Sequence, residues 1–322
     1  MVRRWAVGSI AAIAALAAVP VATATPPGTN GALAWQRESR TTPPALWIAN
    51  ADGTGARRVF AARGIGTFEP AWSPVSATTL AFSRSAGEPF DPEIYVGDVE
   101  TGQARPVTDT PAAAIAPAFS PDGSRIAFFS VSPPGEDRPP GPPRIATVAP
   151  DGSGLQLLTP DDADSVDPDV SPDGRRIVYT EGRPVGASQF DNRLVVMNAD
   201  GTGRRALTRF GGRIEINAKW MPDGRRIVFE SATRRQLRSD IEVVGADGRG
   251  RRKLIATRAF ETNPVPSPDG RRIVLTSDRH RRGPVRLSPS FEVYTAAIDG
   301  TDVVRITRNR VPDLFPDWQR LP

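Results

Sequence analysis

A short pattern recurs along this chain at a nearly constant interval, and a chain that repeats itself has few ways to fold. Pro70-Ala71-Trp72-Ser73-Pro74, Pro117-Ala118-Phe119-Ser120-Pro121-Asp122-Gly123, Pro168-Asp169-Val170-Ser171-Pro172-Asp173-Gly174, Ala218-Lys219-Trp220-Met221-Pro222-Asp223-Gly224 and Pro264-Val265-Pro266-Ser267-Pro268-Asp269-Gly270 are five copies, and Pro316-Asp317-Trp318 is a shortened sixth. Their third residues stand 46 to 52 positions apart. A period of this size marks a supersecondary unit that buries its apolar face only against neighbouring copies.

Each unit reads as four strands. After the motif comes a β-prone run such as Thr79 to Phe82 or Arg226 to Glu230, then a variable segment, then a second run such as Glu93 to Val96 or Asp240 to Val244. A turn follows, at Asp52-Gly53, Glu100-Thr101-Gly102, Asp151-Gly152, Asp200-Gly201, Asp247-Gly248 or Asp299-Gly300, and a short last run such as Ala206-Leu207-Thr208 ends the unit. Asp-Gly between β-prone runs is a hairpin signal, because Gly takes positive φ and Asp accepts hydrogen bonds from its own turn. Four hairpin-linked strands repeated radially make a propeller blade. The fold expected is therefore all-β: a six-bladed β-propeller of four-stranded antiparallel blades. The first unit begins at Gly31 without its first strand, and the last run of the chain, residues 314–318, supplies it. This closure hides both sheet edges, which would otherwise invite aggregation. The aromatic residues of the motif then belong to packing between blades.

Residues 1–24 carry Arg3-Arg4, an alanine-rich apolar run from Trp5 to Val19, and Ala22-Thr23-Ala24, the layout of a secretory signal peptide. The run is broken by Pro20 before the roughly 20 apolar residues a membrane span needs. The expectation is an exported chain, periplasmic or extracellular, whose mature part is residues 25–322 with no transmembrane segment. The chain has no Cys and one His, His280, which excludes thiol chemistry and leaves little for imidazole zinc sites. Lys and Arg number 41 against 36 acids, a balance too modest to argue for nucleic acid as a partner.

The motif Pro-x-Trp-Ser-Pro-Asp-Gly, followed by Ile94-Tyr95-Val96 and by Asp-Gly, resembles the TolB-type, WD-like β-propeller repeat, found in the C-terminal domain of TolB and in the propellers of prolyl-oligopeptidase relatives. The resemblance covers the mature chain and implies a binding or protein-interaction module of the bacterial cell envelope. The N-terminal domain of TolB proper is missing from the pattern, and no hydrolase domain follows it.

No Gly-x-Ser-x-Gly elbow is present for a serine hydrolase. His280 lies in the polar stretch Ser277 to Gly283 and reads as an exposed loop residue. The one constellation with chemical content is acidic. Glu69, Asp167, Glu215, Glu261 and Asp313 stand in the segments leading into the first strand of each blade, so they are expected to ring one mouth of the channel and to bind a ligand there. Their repulsion would be relieved by the basic group of an envelope protein or peptide, or by a cation, for which oxygen ligands suit Ca2+. The Arg pairs 57–58, 175–176, 204–205, 225–226, 251–252 and 271–272 belong to turns of the opposite face and suggest contact with an anionic envelope polymer. The long loops 133–143 and 279–289 are the variable elements on the mouth side. A non-catalytic role is expected first; the alternative is a propeller enzyme of lyase or lactonase type with a metal-assisted site at the mouth.

Overall fold

A computed structural model describes residues 28–39, 41–85, 91–110, 112–132, 141–162, 164–186, 189–233, 238–280 and 291–321. The expected signal peptide and most of both long loops lie outside the described residues. Six four-stranded antiparallel sheets form the blades. Blades 2 to 6 each take four consecutive strands, whereas blade 1 takes its inner strand, Asp313–Leu321, from the C-terminal end and the other three from Thr29–Arg37, Ala45–Ala49 and Arg57–Val59. The inner strands of the six blades contact one another in a ring around the axis.

The hairpin chemistry is visible in the turns. Ser120 Oγ donates to the Asp122 carboxylate (2.6 Å), Asp122 accepts from the Ser124 N–H (3.0 Å), and Gly123 sits at φ +69°. Ser171-Asp173-Gly174 and Ser267-Asp269-Gly270 repeat the arrangement. A Cβ on Gly at this φ would cost about 1–2 kcal/mol, which is why the motif ends in Gly. The fourth strands are short, and in four blades a Thr hydroxyl extends the ladder beyond its backbone pairs. Thr108, Thr159, Thr208 and Thr307 accept from the N–H groups of Ile94, Ile145, Leu194 and Val293 respectively, all at 2.9 Å.

Packing runs between blades, not within a central core. Trp72 joins Leu46, Ile48, Phe60, Leu80 and Phe82 between blades 1 and 2; Trp220 joins Val178, Leu194 and Phe229 between blades 4 and 5; Trp318 joins Val274, Val293 and Trp35 between blades 6 and 1. Burying one such side chain is worth roughly 1.5–3 kcal/mol. The apolar surface is spent on fixing the ring, so the axis itself is left open.

Candidate functional site

Every inner strand bends at the same place. The register between inner and second strand slips by a bulge in all six blades, and the bulged residue takes positive φ: Phe315, Glu69, Ala116, Asp167, Asn217 and Asn263, at +48° to +56°. Bulges re-aim side chains. Here the bulge brings side chains of the innermost strands to the axis, so each repeat position becomes a layer of the channel. The first layer is the bulge itself. The second, two residues on, holds Asp317, Ala71, Ala118, Asp169, Lys219 and Val265; the third holds the motif residues from Trp318 to Pro266; the last holds Pro74, Pro121, Pro172, Pro222, Pro268 and, in blade 1, Arg320. Together they enclose a cavity of about 260 Å3.

This arrangement divides the five acids expected at one mouth. Glu69 and Asp167 line the cavity. Glu215, Glu261 and Asp313 lie two residues earlier on their strands, are 0–1% exposed, and face Arg partners instead. Arg251 meets Glu215 at 2.5 Å, Arg279 meets Glu261 at 2.7 Å, and Arg37 makes a two-pronged contact with Asp313 at 2.6 and 3.0 Å. Two residues keep the same side of a regular strand, but the intervening bulge breaks that alternation. The cavity also extends toward the face of the Ser-Pro-Asp-Gly hairpins and not toward the crossover face where the acids lead in, since its outer layer is the hairpin prolines.

Three functional candidates escape a reading of single positions: Asp169, Asp317 and Lys219. All occupy the motif position otherwise filled by Ala or Val, and a charged residue in an apolar repeat column is the signal that marks them. Asp169 accepts from the Trp220 N–H (2.7 Å) and Asp317 from the Trp72 N–H (2.6 Å), each bridging to the next blade. Lys219 Nζ stands 3.5 Å from Asp169, its side chain 29% exposed within the channel.

The electrostatics follow from burial. Withdrawal from water pushes the Glu69 carboxyl up to about 8, helped by the charge of Asp167, and Glu69 leaves Oε2 buried without a hydrogen-bond partner. Burial raises Asp317 to about 6 despite the Trp72 N–H, and raises Asp167 and Asp169 despite Lys219. Burial draws Lys219 down, but Asp169, Asp317 and Asp167 outweigh it and hold the ammonium above its ordinary value. Four acids thus surround one ammonium, with Arg320 at the rim.

Among the described residues no three His, Cys, Asp or Glu side chains come together in a way that could hold a metal ion, so the oxygen cage expected for Ca2+ is not assembled by these acids. His280 is partly buried and stands outside the cavity lining. On the hairpin face, at least one Arg of every pair is engaged by the protein: Arg57 with Val99 O, Arg176 with Gly224 O, Arg204 with Tyr179 and Arg205 with Ala246 O, Arg226 with Asp223, Arg251 with Glu215 and Glu242, and Arg272 with Asp302. Among the described residues no helix is long and apolar enough to cross a membrane.

Residues 32–238 and 142–320 match the sequence profile of the TolB beta propeller domain. The chain is 34% identical over 140 residues to the protein TolB homolog of Chlorobium luteolum, a match covering 42% of this chain and 29% of that protein. It is 30% identical over 112 residues to dipeptidyl-peptidase 5 of Porphyromonas endodontalis, covering 34% of this chain and 16% of the other. The matched segments thus span less than a third of either relative. Among solved structures, TolB from Acinetobacter baumannii superimposes with a TM-score of 0.69 at 20% identity, over 89% of this chain and 66% of that one, a likeness of fold.

Proposed function

The chain belongs to the TolB β-propeller domain family, and from that premise we propose that it is a non-catalytic binding module exported across the cytoplasmic membrane, with its acidic channel as the binding site. Residues 1–24 are removed after Ala24 in this reading, and the mature protein works in the periplasm or outside the cell. The observation that carries the binding role is the channel wall, where four acids from blades 1, 2 and 4 surround one Lys and one of them, Glu69, keeps a buried oxygen without a partner. Such a wall suits the basic group of an envelope protein or peptide better than bare Ca2+, because the four acids are spread over three blades and do not form a cage. The Pro and Trp layers outside them suit the apolar stem of a Lys or Arg side chain.

Isothermal calorimetry with two probes, CaCl2 and a tetralysine peptide, tests this reading. Tetralysine is expected to bind, to weaken at least tenfold in Glu69→Gln plus Asp167→Asn, and to weaken with added salt as screening shortens the reach of the charges. No heat with either probe would remove the channel as a cation site.

The raised Glu69 supports a second reading. A carboxyl that stays protonated near neutral pH is what general acid catalysis uses, and propellers host lyases and lactonases. Turnover of an oligouronate or a lactone that disappears in Glu69→Gln would favour that enzyme over the binding module.

A further inference from the structure

Three of the four acids that line the channel have no ion-pair partner. Lys219 Nζ stands 3.5 Å from Asp169, but among the described residues no ion pair reaches Glu69, Asp167 or Asp317. Withdrawal from water raises all three toward the protonated form, and Glu69 Oε2 is buried without a hydrogen-bond partner. A carboxylate taken out of water is costly to keep charged without a cation beside it. The channel therefore has a place for positive charge that the chain itself does not supply.

The four acids fall in two layers. Glu69 and Asp167 occupy the bulge, and the charge of Asp167 is felt at Glu69. Asp317 and Asp169 stand two residues farther along their strands, and Asp169 is likewise felt at Asp317. Blades 1 and 4 are opposite in a ring of six, so this second pair lines the axis from both sides. Each of its members accepts from the N–H of the next blade's motif Trp, Trp72 or Trp220, which fixes the carboxylate in place. The spacing follows from the register. Val166 and Asp169 lie opposite Thr180 and Val178, so the bulge packs three steps of the inner strand against two of its neighbour. Two residues at that pitch separate the layers by about 5–7 Å along the inner strands.

Between the two layers the wall is apolar. The residue between bulge and second layer is Pro in five blades, Pro70, Pro117, Pro168, Pro264 and Pro316, and all five line the cavity. Pro also has no N–H to present there. Along the axis the channel thus reads acid, hydrocarbon, acid. The second layer already shows what it holds, since the group beside Asp169 is the ammonium of Lys219. A lysine side chain from a partner brings one ammonium and leaves one layer unserved. An unbranched four-carbon diamine carries two, about 6 Å apart when extended, and a cavity of about 260 Å3 admits it.

Given the cation site proposed above, on which this inference rests, we propose that the two layers are two ammonium subsites and that the channel takes a free linear aliphatic diamine. The molecule lies along the axis, one end between Glu69 and Asp167, its methylene groups against the Pro band and its other end beside Asp317.

Isothermal calorimetry at pH 7.5 and low salt tests this with three probes: 1,4-diaminobutane, 4-aminobutan-1-ol, which has the same length and one charge, and tetralysine. The diamine is expected to bind at least tenfold more tightly than the amino alcohol. Glu69→Gln plus Asp167→Asn neutralises one layer, and Asp317→Asn weakens the other while its amide oxygen still accepts from the Trp72 N–H. Either variant is expected to bring the diamine down to about the affinity of the amino alcohol, and the second keeps the test open should the first fold poorly. A diamine that binds no better than the amino alcohol, while tetralysine binds, would overturn the proposal and leave the channel reading standing. Tight diamine binding that neither variant weakens would place the ligand elsewhere and overturn it as well. Failure of all three probes to bind would remove the channel reading and the diamine with it.

Discussion

Two residues at the bulge respond to different physical costs. Glu69 titrates near 4.5 when unfolded and at about 8 in the fold, so between those values the folded state holds the proton more tightly. Stability must then fall as pH climbs through that window. Glu69→Gln removes the ionisable group; its Tm is expected to match the parent at pH 5 and exceed it by several degrees at pH 8.5, read by calorimetry with roughly 2–4 °C per kcal/mol. A variant that tracks the parent at both pH values would show that Glu69 stays solvated. Ala116 bears a backbone cost instead, its φ of +56° being left-handed, a region that disfavours any Cβ by about 1–2 kcal/mol. Asp167, Asn217 and Asn263 tolerate it better, because short polar side chains bond locally. Ala116→Gly is therefore expected to raise Tm by 1–4 °C, and a lower Tm would mean that the flexibility of Gly in the unfolded chain outweighs the strain.

At the scale of an element, the strand Asp313–Leu321 decides whether the ring is closed. It pairs with Thr29–Arg37 from Thr29 opposite Leu321 to Arg37 opposite Asp313, and that far end is locked by the Arg37–Asp313 contact, with the Arg37 guanidinium 4.2 Å from the Trp47 ring centroid. Deleting residues 314–322 should expose the edge of Thr29–Arg37, remove Trp318 from the packing between blades 6 and 1, and replace one cooperative melt by a broad transition or by oligomers. A deletion that melts like the parent would show that the closing strand is dispensable. Asp313→Ala should act more locally, costing about 3–5 kcal/mol because a mostly buried guanidinium loses its carboxylate. Chemical denaturation would check this, and a cost below 1 kcal/mol would mean that water replaces the carboxylate. The closing strand was legible in the sequence, since a unit without its first run and a spare run at the other end of the chain have one reconciliation.

Over the whole molecule, the channel is a balance of charges drawn from four blades, and Lys219 is its counterweight. Lys219→Met should lower stability at pH 7.5, where Asp169, Asp317 and Asp167 lose their shared cation, and less at pH 5, where Asp317, raised to about 6, takes up a proton instead. The same variant should bind tetralysine more tightly. Equal destabilisation at both pH values would show that Lys219 acts by packing its stem and not by charge.

The repeat by itself determined the blade count, the antiparallel hairpins, the closing strand and the packing role of the motif aromatics, because each depends on local turn chemistry or on a periodicity that a linear string displays. What faces the channel was decided only in three dimensions. Glu69 and Glu215 look alike in the sequence, each a few residues ahead of a motif Trp, but one lies at the bulge and lines the axis while the other lies before it and meets Arg251. Asp169, Lys219 and Asp317 come together only because six bulges turn the same repeat position inward. A bulge adds one residue to one strand and reverses every facing beyond it, and that count is set by pairing with the neighbouring strand, which the order of residues alone does not carry.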